Sequence, residues 1–534
     1  MKKRINLFIY IPLAVVIFIS SCTKDLNRQP LNSNIADDQY STPAGYKQVL
    51  AKVYGSYSLV SSAGTGNYDV NVAGISDPGT TDFIRAYWNM QELPTDEAVV
   101  AWNDAQELAF HNINWTSSNV YVNALYSRSL FQITVCNEFV RQSTDDAVKS
   151  RGITGNDAVD IKHYRAEARF LRAFQYWVLM DLFGNPPFVT ENDPIGKYIP
   201  KQINRVDLFN YVVSELKAID ADLVAPKQNE YGRADQAAEW ALLSRLYLNA
   251  SVYTGNNSTT YYDSAITYSN KVINAGYTLL PHFKNLFLAD NNVNNTETIL
   301  PIAYDATNSQ NYGGTTFLIC AAHGTDPTED KNYGIPGGGW LGNRSTKNLP
   351  QVFGDYSGNT DKRAMFGAGS LEIADVVNFN DGIGVWKFSN LNSDGSTPYS
   401  PNGVLCSTDF PLFRLAEMYL NYIEAVKRGG NGGDANTALS YFNKLRERGY
   451  ENNTGDVTSY TLSDILNERQ RELYWEGFRR TDLIRFGEFT SSNLLWPWKG
   501  GISGGIGVDA HFALYPIPST EIISNTNLKQ NPGY

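Results

Sequence analysis

Three stretches of this 534-residue chain set flat aromatic rings among hydrogen-bonding side chains. Thr81, Asp82, Phe83, Arg85, Tyr87, Trp88 and Asn89 form the first, and Asp96, Glu97, Trp102, Asn103 and Asp104 the second. In the third, glycines 334, 337, 338 and 339 separate Tyr333 from Trp340 and let the Trp project from a loop. A polyhydroxylated ring offers apolar C–H faces and a rim of hydroxyls, so its binding site needs aromatic platforms bordered by donors and acceptors. On that chemistry the candidate ligand residues are Asp82, Arg85, Tyr87, Trp88, Asp96, Trp102, Asn103, Tyr333 and Trp340. Each of these Trp rings has a second reading, the packing of its own loop. Trp177, Trp240 and Trp475 fall within helical segments and are expected in the core, while Trp115 is expected to staple the helix it precedes. Trp496 and Trp498 read as a tail anchor or a partner contact.

Patterns for bond-breaking chemistry are scarce. The five histidines are scattered and show no HExxH or similar metal spacing. There is no G-x-S-x-G elbow, and the glycines at 337–339 and 500–507 lack the Lys-Ser/Thr of a phosphate loop. No catalytic residue, cofactor or resident metal is expected. Acidic residues at 290–297 and 378–381 offer oxygen ligands to calcium, but neither stretch matches an EF-hand. A glycosidase carboxylate pair can be far apart in sequence, so a hydrolase stays open as an alternative.

The N-terminus carries a different chemistry. Lys2, Lys3 and Arg4 precede a largely apolar run at 5–19, short for a membrane span and suited to a secretory leader. Ile19, Ser20, Ser21 and Cys22 then resemble a bacterial lipobox, which makes residues 1–21 a lipoprotein signal peptide and Cys22 the acylated anchor. Acyl chains contribute about 0.8 kcal/mol per buried methylene, so several hold a domain firmly on a bilayer. Loss of the three leader cations takes the formal charge from −11 to −14. With no basic block, a nucleic-acid partner is not expected. Cys136, Cys320 and Cys406 remain, an odd count that is no disulfide framework.

These residues must be positioned by a mainly helical chain. Ala416, Tyr419, Leu420, Ile423 and Val426 repeat with helical period before Gly429 and Gly430; Asp434 then caps a second helix carrying Ala438, Leu439, Phe442 and Leu445. This pair, over 413–449, looks like a tetratricopeptide-type unit. A second pair spans 234–276, and further helices are expected near 43–60, 119–142, 159–183, 205–224 and 461–484. Stacked antiparallel pairs would form a superhelical scaffold. Segments 63–118 and 277–410 lack sustained helical period and are expected to be loop-rich, with short strands. The tail from about 490 is proline-punctuated and expected to be extended.

Glu468, Arg469, Glu472, Leu473, Glu476, Gly477, Arg479, Asp482, Leu483 and Arg485 resemble the signature of the SusD/RagB family of Bacteroidetes outer-membrane lipoproteins. Arg165, Ala166, Glu167, Ala168 and Arg169, followed by Leu182, Phe183, Gly184, Asn185, Pro186 and Pro187, are similar to a second family signature. Thr95, Asp96, Glu97 and Ala98, Gly232, Arg233 and Ala234, and the tail motif Tyr515, Pro516, Ile517 and Pro518 add to it, as do Leu26, Asn27, Arg28, Gln29 and Pro30.

The resemblance implies one SusD-like domain over 22–534: a tetratricopeptide-like scaffold at 36–62, 119–276 and 411–487, with a loop-rich, partly β ligand face at 63–118 and 277–410. It implies a surface protein without catalysis that captures oligosaccharide or another nutrient and caps a SusC-like, TonB-dependent outer-membrane transporter. The acid and arginine residues of 468–485 tempt an active-site reading. Their helical spacing suits charge-assisted pairs that orient packed helices, and a scaffold role is expected. A surface hydrolase, a pure capping subunit and a peptide-binding protein are the competing readings.

Overall fold

The long helices start where the sequence supplies a side-chain oxygen for the first free backbone N–H groups. Asn119 caps Val120–Gln142, Asn204 caps Arg205–Ile219, Asp235 caps Gln236–Leu248 and Asp434 caps Ala435–Tyr450. Thr461 and Asp464 form a reciprocal capping box at Leu462–Leu473. The longest helix, Asn156–Phe183, ends at Gly184, whose φ of 72° suits glycine. The structure is a computed structural model that describes residues 39–59, 79–196, 198–324 and 333–534. The leader, Cys22 and the motif at 26–30 lie outside the described residues. Among the described residues no helix is long and apolar enough to cross a membrane.

The helices pack in succession. Val120–Gln142 lies on Asn156–Phe183, which lies on Arg205–Ile219; Gln236–Leu248 packs on Thr260–Ile273, and Leu415–Lys427 on Ala435–Tyr450. Thr260–Ile273 and Leu415–Lys427 also pack directly against each other, although more than 140 residues separate them. The loop-rich region is therefore an insertion between two neighbouring helices of the stack. It leaves and returns on an antiparallel stem, Thr298–Ile302 against Phe410–Arg414, with Thr298 opposite Arg414 and Ile302 opposite Phe410. Two more two-stranded ladders, Val99–Val100 with Asn343–Arg344 and Phe366–Ser370 with Gly382–Val385, lie in the loop-rich regions, and a bridge between Ser345 and Ile383 links them.

Several expectations need correction. The 63–118 stretch contains two helices, Phe83–Gln91 and Ala105–His111, capped by Asp82 and Asp104. Every residue of Phe83–Gln91 is buried, so no polar face exists to give it an amphipathic period. The 461–484 segment is two helices, Leu462–Leu473 and Arg479–Arg485. Trp475 and Gly477 adopt φ of 64° and 83° between them, and buried Glu92 accepts the N–H groups of Gly477 and Phe478. The tail is not wholly extended, since Ser519–Ser524 is helical. Trp177 and Trp475 are core residues, whereas Trp240 is half-buried and donates to Asp220. Trp115 anchors the tail, packing on Tyr515 and donating to the Tyr534 hydroxyl at 2.7 Å. Trp496 is buried, and Trp498 donates to the Ile373 carbonyl. Cys136, Cys320 and Cys406 are buried free thiols.

A buried charge network joins insertion to scaffold. Glu472 accepts from Arg414, Arg448 and Arg363; Glu476 from Lys387 and Arg414; Glu468 from Arg363, Arg446 and Arg471. Glu297 joins Arg414 to Arg448 at 3.1 and 3.2 Å. Arg363, Lys387 and Glu297 belong to the insertion. Burial pushes Glu472 up, but the guanidinium groups of Arg448, Arg414 and Arg363 outweigh it and hold the carboxyl well below its ordinary range. Apart from half-buried Arg471, the acid and arginine residues of 468–485 are thus packed against partners and remote from solvent.

Candidate ligand-binding face

The shortest ladder brings two distant candidates together. Val99 stands opposite Arg344, Val100 opposite Asn343, and the Ala101 N–H donates to the Gly342 carbonyl at 2.8 Å. Trp102 therefore comes to lie against Gly342, where a Cβ would stand 2.4 Å from the indole Nε1. Only a glycine admits that contact, and its φ of 120° also demands one. Arg85 supports the Trp102 ring, its guanidinium carbon 5.6 Å from that centroid and 4.8 Å from Phe317. Trp340 is fixed by its backbone, which donates to the Cys320 carbonyl at 2.6 Å, at the end of the buried Gly314–Cys320 helix. Leu341 next to it adopts φ of 51°, a left-handed backbone that costs a branched residue roughly 1–2 kcal/mol. Tyr312 lies 6.4 Å from Trp340 and its hydroxyl accepts from Asn402 at 2.9 Å. Trp102, Tyr312 and Trp340 are all half-buried, so part of each ring is open.

A second aromatic group adjoins the first. Tyr333 stacks on His323 at 3.8 Å, and Trp386 lies 4.9 Å from Tyr333 and 5.8 Å from His323. Leu341 donates its N–H to the His323 carbonyl, so the segment carrying Trp340 touches the backbone of this group directly. Burial pushes His323 down to about 3, leaving the imidazole neutral at ordinary pH. Arg344 is buried and donates to the Val376 and Asn378 carbonyls. Burial lowers it to about 10, with Asp381 and Asp375 opposing the fall.

Of the nine sequence candidates, Trp102, Asn103, Tyr333 and Trp340 reach this face or the solvent beside it. The other five are buried. Asp82 caps Phe83–Gln91 and also accepts from the Gly314 N–H and Asn311, stitching two helix starts together. Burial raises its carboxyl, and Arg128 opposes the shift. Tyr87 stacks on Phe83 at 5.6 Å, and Trp88, 1% exposed, packs on Trp475 and Phe317. Asp96 forms a two-pronged pair with Arg479 at 2.7 and 2.8 Å. Arg85 acts from below through Trp102. Tyr312, His323, Phe379 and Trp386 were missed by sequence reasoning; an aromatic in a glycine-rich stretch is the one signal they share with Trp340.

Among the described residues no group of three His, Cys, Asp or Glu side chains is placed to hold a metal. Asp290 accepts from Ser393, Asp381 from the N–H groups of Ala374 and Asp375, and Glu297 pairs with Arg414 and Arg448, so these carboxylates of the two stretches weighed for calcium have protein partners.

A sequence model of the SusD family matches residues 249–534, more than half of the chain. Over 97% of its length the chain is 34% identical to a starch-binding protein SusD of Bacteroides thetaiotaomicron, 96% of which is covered. The chain belongs to the SusD family. A SusD-like protein of Bacteroides ovatus is 23% identical over 81% of the chain and 79% of that protein. Among solved structures, a SusD superfamily protein from Bacteroides vulgatus matches with a TM-score of 0.69 at 19% identity, covering 92% of this chain and 99% of that one, and surface glycan-binding protein A from Bacteroides uniformis with 0.70 at 21%, covering 92% and 99%. The same-named protein from Bacteroides thetaiotaomicron in complex with laminarihexaose matches at 0.68 and 19%, covering 91% and 99%. These structures establish the fold as the mainly helical, tetratricopeptide-like SusD architecture.

Proposed function

We propose that this SusD-family chain is a cell-surface receptor that binds a starch-type glucan on Trp102, Tyr312 and Trp340 and delivers it to a SusC-like TonB-dependent transporter. Lipid at Cys22 would tether it to the outer membrane. The observation that carries the reading is the full-length 34% identity to a starch-binding protein, joined to three partly open rings on one face. Ring stacking and hydrogen bonds from side chains such as Asn103 and Asn402 would hold the sugar reversibly, with no bond broken.

The soluble chain without its leader should bind maltoheptaose in a calorimeter. Trp340→Ala should weaken that binding by about thirtyfold, as expected for about 2 kcal/mol lost with one anchor ring, while the fold stays intact. Unchanged affinity in both Trp340→Ala and Trp102→Ala would refute the assignment of the site. Steady release of reducing ends would turn the reading to a hydrolase. Recovery of a TonB-dependent transporter with the detergent-extracted, tagged protein tests the delivery step.

A further inference from the structure

Beside Trp340 lies a cleft of about 410 Å³ that the three rings of the proposed site do not line. Leu341, Gly324, Phe379, Asn380 and Trp386 border it, together with the glycine-rich hairpin of Phe366–Ser370 and Gly382–Val385. Its size falls in the range of small-ligand sites. The hairpin presents almost bare backbone, because Gly369, Gly382 and Gly384 line the cleft with Ala368. That bareness seats Trp386: a Cβ at Gly367 would stand 2.1 Å from the indole ring, and one at Gly384 3.1 Å from its Nε1. The indole is steadied further by the Tyr333 and His323 rings and remains half-exposed. Arg344 secures the loop that carries the other flat group, through the carbonyls of Val376 and Asn378 just before Phe379 and Asn380. Phe379 is 41% exposed, so its ring is accessible from the cleft it lines.

The cleft adjoins the ring site at one residue. Leu341 lines it and directly follows Trp340, and the left-handed turn at Leu341 marks the boundary between the two surfaces. Two aromatic faces, a side-chain-free wall and an amide suit a sugar ring better than a compact apolar ligand. We propose that the cleft is a second sugar subsite, in which further residues of the oligosaccharide held on Trp340 stack on Trp386 and Phe379 and hydrogen-bond to Asn380. The proposal rests on the glucan-binding reading and adds a consequence that reading lacks: affinity grows with chain length through a separable set of residues.

Calorimetry with maltotriose and maltoheptaose on the wild-type chain, Trp386→Ala, Phe379→Ala and Trp340→Ala tests it, with circular dichroism confirming each fold. The wild type should bind maltoheptaose more tightly than maltotriose. Trp386→Ala should lower maltoheptaose affinity about tenfold, the loss expected of one stacking platform, and leave maltotriose within about twofold. Phe379→Ala should act in the same direction and decides the matter if Trp386→Ala fails to fold. Trp340→Ala should weaken both sugars. Wild-type affinity for maltoheptaose in both cleft variants overturns the subsite, as does an equal loss for both sugars in Trp386→Ala. A wild type that binds neither sugar overturns the glucan reading itself, before any variant is compared.

Discussion

Replacing Glu472 by Gln tests whether the acid and arginine residues of the family signature are scaffold. The carboxylate is fully buried and accepts from Arg414 at 2.5 Å, from Arg363 at 3.1 Å and from Arg448. Gln keeps the shape, removes the charge and turns an N–H₂ donor toward guanidinium donors. Removing one partner of a buried pair costs about 3–5 kcal/mol. Each cation here keeps another carboxylate: Arg414 keeps Glu297 and Glu476, Arg363 keeps Asp361 and Glu468, and Arg448 keeps Glu297. The expected loss therefore sits at the low end, about 3 kcal/mol. Equilibrium urea unfolding followed by tryptophan fluorescence at neutral pH reads it, with Glu230→Gln, in an exposed pair with Lys47, as a control expected to change stability by under about 1 kcal/mol. The sign with pH is fixed. Because Glu472 is depressed in the folded state, its contribution is whole above the ordinary 4.5 and is lost as pH falls through the folded value. The gap between wild type and variant should thus narrow in acid. A Gln variant as stable as wild type at pH 7, or one of unchanged stability that no longer binds glycan, would refute the scaffold assignment.

Three further outcomes are expected. Trp88→Ala should destabilise the chain by about 3–5 kcal/mol, the cost of a large core truncation, while Trp340→Ala leaves the unfolding midpoint nearly unchanged; the reverse pattern would place Trp88 at the ligand. Burial, opposed by Arg479, raises Glu97 to about 7. The stability it contributes is then whole below 4.5 and is lost as pH rises through about 7, so Glu97→Gln should flatten the fall in urea midpoint across that window. Cys22→Ser should shift the protein from the outer-membrane fraction to a soluble or precursor form, and co-fractionation like wild type would remove the lipid anchor.

The scaffold was legible because helices such as Leu415–Lys427 and Ala435–Tyr450 repeat their apolar residues with helical period and Asp434 announces a cap; the Asn119 cap and the Thr461 box emerged only in the structure. The charged signature was legible as structure from the helical spacing of Glu468, Arg469 and Glu472, but not the break that places Glu476 and Gly477 between two helices. Phe83–Gln91 was not, since a helix buried on every side carries no period, and its Asp82, Tyr87 and Trp88 then passed for loop residues with a ligand to meet. The site was half legible for a related reason. Trp102 and Trp340 stand out as loop aromatics, but what joins them is a two-residue ladder between segments over 240 residues apart. Tyr312 and Trp386 share only the glycine-rich setting of Trp340, and where their rings meet their neighbours depends on contacts between separate segments.

The stem at Thr298–Ile302 and Phe410–Arg414 makes the size of the ligand face a nearly free variable. Once two strands close an excursion, its entropic penalty grows only with the logarithm of its length, about 0.6 kcal/mol for each doubling. Arg363, Lys387 and Glu297 moor the inner part to the helical stack, so change there is punished by stranded charge. Among the described residues, outer turns such as the one that carries Tyr399, which is 74% exposed, have no such charge mooring. Descendants of this chain can therefore exchange or lengthen those turns to suit a new polysaccharide while the apparatus beneath is inherited whole.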